Sequence, residues 1–338
     1  MNDTFLRVCR GKKTDFTPIW IMRQAGRYLP QYQEVRSKVD FLTLCKTPEL
    51  AAKVTMQPVD ILGVDAAILF SDILIPLEAM GMGLRFEEEK GPIFDSPIRD
   101  RLGVERLIDI DPQEHVPFVL DTIKILHKEL KVPLIGFSGA PFTLATYMIE
   151  GRSSKTFLNT KKMMYTDPHL FRALMERLTV NTISYLKGQI NAGADAVQLF
   201  DSWAGVLSPE DYKTFAFPYV LKIISDLKPL NVPIIYFVNN CGGLLEIAKD
   251  CKSDVIGIDW RVDISDAIDR LGADKVIQGN LEPIILFSDR TQIKRAAADI
   301  IQKGKKAKGH IFNLGHGILP TTPVDNLKIL IDIVHGME

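Results

Sequence analysis

Two arginines stand immediately after an apolar run near the start of the chain, in the stretch PIWIMRQAGRYLPQY. Arg23 and Arg27 are separated by a short segment that contains Gly26. An arginine guanidinium is planar and always charged, and its fork of N–H donors matches the geometry of carboxylates and phosphates. The spacing therefore predicts a site for an anionic ligand, while pairing with Glu34 or Asp40 on the surface is the ordinary alternative.

Other polar side chains stand where apolar runs end, and they add different chemistry to the two arginines. They supply a carboxylate, a phenol, a hydroxyl and an imidazole, although each has an ordinary structural alternative, such as a helix cap for aspartate or core packing for tyrosine. One carboxylate among several guanidinium groups predicts a ligand with anionic groups at its edge and donors or positive charge at its centre. These residues are Asp72, Tyr147, Ser202 and His316, with Arg36 as a further cation.

Short motifs for several common chemistries are missing from the sequence. It contains no HExxH zinc motif, no Walker phosphate loop and no glycine-rich dinucleotide fingerprint after the first apolar run. The four cysteines include no CxxC pair and no Cys/His spacing typical of zinc. We therefore expect no bound metal, and reduced cysteines that fill space in the core. The cysteines are Cys9, Cys45, Cys241 and Cys251.

The composition is that of an ordinary globular protein. The chain has 338 residues, of which 46% are hydrophobic and 25% charged, and its net charge is −1. This balance gives no general attraction for nucleic acid or for an anionic membrane surface. The sequence also shows neither an apolar signal core at its N-terminus nor a run of transmembrane length. We expect a cytoplasmic protein that binds neither nucleic acid nor membrane.

The elements that must position these residues follow a repeating pattern. Eight short apolar runs alternate with helix-length segments, and the runs are continuously apolar, as in strands covered on both faces. This alternation predicts parallel strands with right-handed crossovers, and eight units predict an α/β fold, a single (β/α)₈ TIM barrel domain over residues 1–338. An open doubly wound sheet is the alternative, but it would ordinarily carry the missing dinucleotide fingerprint. The runs cover residues 18–22, 65–70, 133–138, 196–201, 233–238, 255–259, 276–280 and 310–314.

The helix-length segments lie between these runs, and one longer segment interrupts the repeat. Residues 73–111 are polar and rich in turn residues, including Gly81, Gly83 and the acidic stretch 87–89, which predicts an insertion over the mouth of the barrel. The first predicted helix begins at Pro48, a residue favoured at the first helical position. The predicted helices cover residues 48–62, 113–130, 167–190, 209–227, 243–251, 265–271, 289–303 and 324–335.

Catalytic groups of such barrels lie at the carboxyl ends of the strands, on the loops that lead into the helices. Arg23, Asp72, Tyr147, Ser202 and His316 each follow a different predicted strand. We therefore expect these five side chains to line one cleft at the C-terminal ends of the strands.

Two long stretches of the sequence resemble the signatures of the uroporphyrinogen decarboxylase family. PIWIMRQAGRYLP (18–30) is similar to the N-terminal signature, and GFSGAPFTLATYMIEG (136–151) is similar to the second. Shorter stretches match in the family's order, so the resemblance covers essentially the whole chain. These stretches are DAAILFSDIL (65–74), QLFDSWAG (198–205), GIDW (257–260), QGNLEP (278–283) and NLGHGI (313–318).

The resemblance implies a single (β/α)₈ barrel that forms a homodimer with its clefts facing each other and that needs no cofactor. It implies uroporphyrinogen III, a reduced tetrapyrrole with eight carboxylates, as the substrate. The enzyme would convert the four acetate side chains to methyl groups and release coproporphyrinogen III and carbon dioxide, as a step of porphyrin biosynthesis.

The resemblance also implies roles for individual residues. Arg23 and Arg27 match arginines that meet substrate carboxylates, and Asp72 matches the aspartate that accepts hydrogen bonds from the pyrrole N–H groups. Asp72, Arg23 and Tyr147 are thereby the expected catalytic residues. The expected substrate-binding residues are Arg23, Gln24, Ala25, Gly26, Arg27, Phe41, Asp72, Tyr147, Ser202 and His316, and Arg36 matches a further cleft residue.

One position departs from the family pattern. After the fifth predicted strand many members have Phe-x-Lys followed by glycine, and here Asn239 occupies the place of the lysine. A zinc- and corrinoid-linked methyltransferase of the same superfamily is the alternative enzyme, but Asn239 and Cys241 do not form its His-x-Cys zinc motif. A tetrapyrrole-binding protein without activity would need the arginines but not Asp72.

Overall fold

A computed structural model describes residues 2–87 and 91–337. Part of the predicted insertion, residues 88–90, and the two end residues of the predicted domain, 1 and 338, lie outside the described residues.

The centre of the molecule is a sheet of seven parallel strands in the order β1-β4-β5-β6-β7-β8-β9. Two further strands, β2 and β3, form a separate antiparallel hairpin. The parallel strands are buried on both faces, as their continuously apolar sequences predict. Within the described residues the strands are β1 Ala67–Ile68, β2 Leu84–Glu87, β3 Gly91–Phe94, β4 Leu134–Gly139, β5 Ala196–Asp201, β6 Ile234–Val238, β7 Val255–Ile258, β8 Val276–Leu281 and β9 Gly309–Leu314.

Helices connect the parallel strands and cover the sheet. None of the described helices is both long and apolar enough to cross a membrane. Within the described residues the α-helices are α1 Thr4–Cys9, α2 Pro30–Arg36, α3 Phe41–Lys46, α4 Pro48–Leu62, α5 Ile75–Ala79, α6 Arg101–Glu105, α7 Pro112–His115, α8 Pro117–Glu129, α9 Pro141–Glu150, α10 Leu158–Thr166, α11 Pro168–Ala192, α12 Pro209–Phe215, α13 Phe217–Leu227, α14 Leu245–Ala248, α15 Ile264–Leu271, α16 Arg290–Gly304 and α17 Val324–His335.

Seven of the eight predicted strands are present, and the first, residues 18–22, is corrected to a single parallel bridge between Ile19 and Phe312. Side-chain oxygens accept hydrogen bonds from N–H groups that, in a regular strand, would donate to the neighbouring strands. The Ile19 N–H donates to the Asp65 carboxylate, and the Met22 N–H donates to the side-chain oxygen of Asn313. Pro18 has no N–H to donate, so little of the segment can join a ladder.

Two predicted helices are correct to the residue, and two others are broken by proline. Helices α4 and α17 have the predicted bounds. The helix predicted over residues 113–130 divides into α7 and α8 at Val116, and the one over 209–227 divides into α12 and α13 at Ala216. A proline follows one or two residues after each break, and it disfavours helical geometry in the residue before it and removes an N–H donor.

Among its described residues, the predicted insertion contains the β2–β3 hairpin and two short helices, α5 and α6. It packs on the C-terminal end of α9, where the Phe94 N–H donates to the Gly151 carbonyl and the Ile98 N–H to the Met148 carbonyl. The insertion therefore supports the helix that carries Tyr147.

Candidate functional site

Arg23 follows the 18–22 segment in a left-handed backbone conformation, with φ of 64°. A residue other than glycine in this region costs about 1–3 kcal/mol, which the surrounding structure must offset. The Gln24 N–H donates to the Ile21 carbonyl and closes the turn. The arginine side chain then lies against Gly317, where any larger residue would collide with its methylene groups. The turn and this glycine together aim Arg23 at the loop after β9.

Gln24 is fully buried, and both ends of its side chain are used inside the protein. Its Oε1 accepts the Ile21 N–H at 3.0 Å, and its Nε2 donates to the Ala66 carbonyl at 3.1 Å. The side chain therefore holds the arginine turn against β1 and has no free group for a ligand. Ala25 and Gly26, the other small residues of the predicted binding segment, are half-buried in the same turn.

Arg23 and Arg27 are exposed, and their guanidinium groups form no hydrogen bond or ion pair with any described residue. The surface partners considered for them are engaged elsewhere. Glu34 pairs with Lys38 at 3.5 Å, and Asp40 caps the N-terminus of α3. The two charges are thus available to a ligand.

Asp72 follows β1 and is partly exposed, and its Oδ1 accepts the Leu74 N–H at 2.9 Å. Burial of the carboxyl among protein atoms raises the pKa of Asp72, while the Leu74 N–H and the positive charge of Arg23 act in the opposite direction. Arg23 is near enough for its charge to act on the carboxyl. The two groups are therefore electrostatically coupled.

Tyr147 lies on α9, beyond the C-terminal end of β4. Burial raises the pKa of Tyr147, Asp72 raises it further, and Arg23 lowers it. Its ring packs against Trp203 with a centroid distance of 6.3 Å. The phenol therefore stays protonated at neutral pH and shares the electrostatic environment of Asp72 and Arg23.

His316 lies between Gly315 and Gly317 in the loop after β9 and is partly exposed. Burial lowers the pKa of His316 to about 4, and the positive charges of Arg23 and Arg261 lower it in the same direction. The imidazole is consequently neutral near pH 7, where it acts as a hydrogen-bonding group and not as a cation.

Ser202 follows β5 and is half-buried, next to the Trp203 ring that packs on Tyr147. Its carbonyl accepts the Asn239 side-chain amide at 3.2 Å, so the β5 and β6 exits are joined there. Phe41 packs edge-on against Phe70, near the β1 exit, with ring centroids 5.9 Å apart.

Arg36 donates to the Val39 carbonyl at 2.6 Å. Part of its donor set is therefore used at the C-terminal end of α2.

Asp201, at the end of β5, is a site-supporting residue that the sequence analysis did not single out. It is fully buried, and it accepts hydrogen bonds from the Thr143 hydroxyl at 2.8 Å and the Tyr236 hydroxyl at 3.0 Å. Burial raises the pKa of Asp201 to about 6. Thr143 lies one helical turn before Tyr147, so Asp201 ties α9 to β5. An aspartate at the end of an apolar run is the only sequence signal for this role.

The described residues contain no group of three His, Cys, Asp or Glu side chains placed to hold a metal ion. At the positions relevant to a zinc methyltransferase, burial raises the pKa of Cys241 to about 12 and also raises the pKa of Cys251. Both thiols are therefore neutral near pH 7.

The arrangement can bind an anion through exposed guanidinium groups and present a carboxylate, a phenol and a neutral imidazole to the same ligand. Arg23 acts electrostatically on Asp72, Tyr147 and His316. Asp72, Tyr147 and His316 lie beyond the C-terminal ends of three different strands, and Arg23 follows the 18–22 segment. That these residues line one binding site stays a prediction.

Comparison with known proteins identifies close relatives over the full length. The family model described as Uroporphyrinogen decarboxylase (URO-D) matches residues 1–337. A protein named uroporphyrinogen decarboxylase from Desulfotalea psychrophila is 55% identical over 338 residues, covering 100% of this chain and 99% of the relative. One of the same name from Geobacter metallireducens is 54% identical over 340 residues, with 100% and 99% coverage.

Among solved structures, a methyltransferase from Methanosarcina mazei is similar, with a TM-score of 0.83 and 21% identity, over 98% of this chain and 97% of that one. A B12-independent methionine synthase from Shewanella has a TM-score of 0.59 and 10% identity, over 88% and 90% of the two chains. At these identities the likeness concerns the fold alone.

Proposed function

The chain belongs to the uroporphyrinogen decarboxylase family, and from this premise we propose how the residues at its strand exits carry out the reaction. The protein is a carboxy-lyase of porphyrin biosynthesis that decarboxylates uroporphyrinogen. The observation that carries the assignment of residues is the shared electrostatic environment of Arg23, Asp72, Tyr147 and His316.

The substrate and the cleft are complementary in charge. The guanidinium groups of Arg23 and Arg27 bind peripheral carboxylates of the tetrapyrrole, since neither group has a partner among the described residues. Asp72 faces the ring centre and accepts hydrogen bonds from the pyrrole N–H groups. Ser202, His316 and Phe41 complete the walls of the binding site.

The pyrrole ring supplies the electron sink that loss of carbon dioxide requires, so the proposal needs no cofactor. A proton adds to the ring carbon beside the acetate-bearing carbon and gives an iminium-like ring. The bond between the methylene and the carboxylate then breaks, and its electron pair neutralises the ring as carbon dioxide leaves. The exocyclic methylene takes up a proton, and the ring carbon returns its own. Each cycle consumes one proton and converts an acetate to a methyl group.

Asp72 stabilises the cationic ring in the transition state. A fixed charge in a cleft with little water contributes about 3–4 kcal/mol, comparable to one donor of an oxyanion hole. Burial opposes ionisation of Asp72, but Arg23 and the Leu74 N–H favour the charged form. Hydrogen bonds donated by the pyrrole N–H groups of the substrate also favour the charged form of Asp72.

The protonation states of the cleft residues reduce the number of candidates for the proton donor. His316 is neutral near pH 7, because burial and two nearby cations lower its pKa to about 4. Arg23 keeps its proton in any protein environment. The Tyr147 phenol remains protonated and lies in the same environment as Asp72, so we assign it as the donor or as the group that orients a donating water.

The proposal also includes a closed eight-stranded barrel and a cytoplasmic location. Residues 18–22 act as the eighth strand and close the barrel as one domain over residues 1–338. The supporting contacts are the Phe312 N–H donating to the Pro18 carbonyl and the Asp65 N–H donating to the Ile19 carbonyl, one on each side of the segment. The protein works in the cytoplasm, where the four free thiols remain reduced.

A homodimer completes the proposal. Large apolar side chains remain exposed beyond the end of β8, at Ile284 and Phe287, and a second copy would cover such groups. Light scattering of the purified protein would give twice the mass of one chain. A mass near 37.9 kDa at micromolar concentration would remove the dimer from the proposal.

The experiment that tests the function uses purified protein and freshly reduced uroporphyrinogen III under anaerobic conditions, without added cofactor and with a metal chelator present. We expect stepwise loss of four carboxylates. The products are oxidised and then separated by chromatography. Release of the tetracarboxylate product would support the proposal. An unchanged octacarboxylate, or activity that requires metal and a methylated thiol, would overturn it.

A further inference from the structure

A further cation, Arg261, lies at the exit of β7, outside the set that the sequence analysis assigned to the substrate. Arg261 has a side chain that is 45% exposed. Its guanidinium carbon lies 3.8 Å from the centre of the Trp260 ring. Stacking on an indole face stabilises a guanidinium and leaves its N–H donors free at the edge of the plane.

One corner of the Arg261 guanidinium is anchored, and the opposite edge is not. The Nη1 atom donates to Asn239 Oδ1 at 3.2 Å and to Asp259 Oδ1 at 3.3 Å. The Nε and Nη2 atoms donate to no described residue. These two atoms form the edge that binds a carboxylate with two parallel hydrogen bonds. The anchoring therefore presents a donor pair of fixed orientation.

The anchored guanidinium is joined to the cleft through Trp260 and His316. The rings of these two residues meet edge to face, with centroids 6.1 Å apart and an interplanar angle of 82°. Gly315 lies against the Trp260 backbone, and a side chain at that position would collide with it. The charge of Arg261 also acts on the imidazole of His316. Arg261 thus borders the site on the side of His316.

We propose that Arg261 binds a peripheral carboxylate of the tetrapyrrole beside His316, and that Asn239 positions the guanidinium for this contact. The inference rests on the proposed function and deepens it. It also accounts for asparagine in the place of the family's lysine at position 239. The Asn239 side-chain oxygen accepts a hydrogen bond from Arg261, so the positive charge comes from the neighbouring strand exit and not from residue 239.

The test combines steady-state kinetics with direct binding of uroporphyrin, the oxidised octacarboxylate, measured by fluorescence. For Arg261→Ala we expect KM and the uroporphyrin Kd to rise about tenfold, with kcat within about twofold of the unaltered protein. Arg261→Lys keeps the positive charge but loses the two-pronged donor geometry. Its KM and Kd should lie between those of the unaltered protein and those of Arg261→Ala. The double variant Asn239→Lys with Arg261→Ala places a cation at the β6 exit instead of the β7 exit. It should recover most of the lost affinity for uroporphyrin.

Arg295→Ala is the matched control, because Arg295 is an exposed arginine on α16 and lies outside the site. It should leave KM and Kd unchanged. Equal Kd values for Arg261→Ala and the control would overturn the inference. So would an affinity loss in Arg261→Ala that neither lysine-containing variant relieves, since that pattern indicates a purely structural role. If the unaltered protein fails to decarboxylate uroporphyrinogen, the proposed function is wrong, and the uroporphyrin Kd values still decide whether Arg261 binds carboxylates.

Discussion

Asp72, after the C-terminal end of β1, is used differently from the aspartates at the N-terminal ends of the parallel strands. At the N-terminal ends, Asp195 accepts the Leu134 N–H and Asp254 accepts the Ile234 N–H, each at 2.8 Å. Each aspartate stands just before its own strand and receives the first N–H of the strand before it. At the C-terminal ends, Asp72 accepts one N–H from its own loop and forms no ion pair with any described residue.

The comparison separates carboxylates that hold the fold from Asp72, the one that we propose for substrate binding. At the N-terminal ends, Asp195 and Asp254 each accept a strand N–H through one oxygen, so the desolvation of that oxygen is compensated within the protein. Beyond the C-terminal end of β1, Asp72 is left with acceptor capacity unused, which costs stability in the empty protein. This division of labour is the one expected of barrels with their active sites at the carboxyl ends of the strands.

The largest effect should follow from neutralising the carboxylate at the C-terminal end. In Asp72→Asn the side-chain oxygen can still accept the Leu74 N–H, so the loop keeps its hydrogen bond. The charge that stabilises the cationic ring is lost, and we expect kcat to fall about 10²–10³-fold. Anaerobic turnover assays and urea unfolding measure the two properties. A turnover number close to that of the unaltered protein would remove Asp72 from the mechanism.

The next effect concerns the cation that supports Asp72. In Arg23→Gln we expect kcat/KM to fall about 100-fold, because a charged fork to a substrate carboxylate is lost. Since Arg23 lowers the pKa of Asp72, its removal raises that pKa further, and the acid limb of the kcat/KM profile should move to higher pH.

Arg27→Gln is the control for this pH effect. Arg27 is not among the charges that shift the Asp72 pKa. This variant should therefore weaken binding and leave the acid limb in place. An acid limb that shifts equally in both variants would show that Arg23 has no special relation to Asp72.

A substitution at the opposite end should affect stability instead of activity. Asp254→Ala removes the acceptor of the Ile234 N–H and the ion pair that Lys228 makes at 2.6 Å. We expect the free energy of unfolding to fall by about 1–3 kcal/mol, because a buried N–H loses its partner. Urea unfolding and kcat/KM would be measured together, and a large loss of activity in the folded variant would break the distinction between the two ends.

The smallest effect concerns His335, whose imidazole lies 2.8 Å from the Asp65 carboxylate at the N-terminal end. This contact raises the pKa of His335, so the folded protein holds a proton that the unfolded chain releases. The resulting stability is full below the ordinary histidine pKa and is lost as the pH rises through the raised value.

His335→Gln should therefore remove a pH-dependent contribution between about pH 5.5 and pH 8. We expect it to be below about 1 kcal/mol, because a third of the side chain is exposed and water screens the pair. Urea unfolding at the two pH values gives the difference. An unaltered pH dependence in the variant would assign the titration to another group.

Much of the fold was predictable because its signals are local. Continuous apolar runs identify buried parallel strands, and a proline at the first turn fixes the start of α4. The breaks at Val116 and Ala216 were also signalled by neighbouring prolines, but a proline in the first turn of a helix looks the same in sequence as one that ends the helix before it.

The site was predictable only in part. Asp72, Arg23, Tyr147 and His316 were predicted because a polar residue after an apolar run marks a strand exit, and the structure couples them electrostatically. Gln24 shows the limit of that reasoning, since its place in the motif does not reveal that its amide faces the core.

By itself, the sequence determined the order of strands and helices, the chemical types at each strand exit and the family. The tertiary structure decided which of these groups meet. Asp72 and Arg23, which are coupled electrostatically, are 49 residues apart in the sequence, and Asn239 and Arg261, which are hydrogen-bonded, are 22 apart. No local pattern encodes such proximity. Helix and strand formation depend on neighbouring residues, whereas the charge and desolvation felt by a side chain depend on whatever the closed fold brings within a few ångströms.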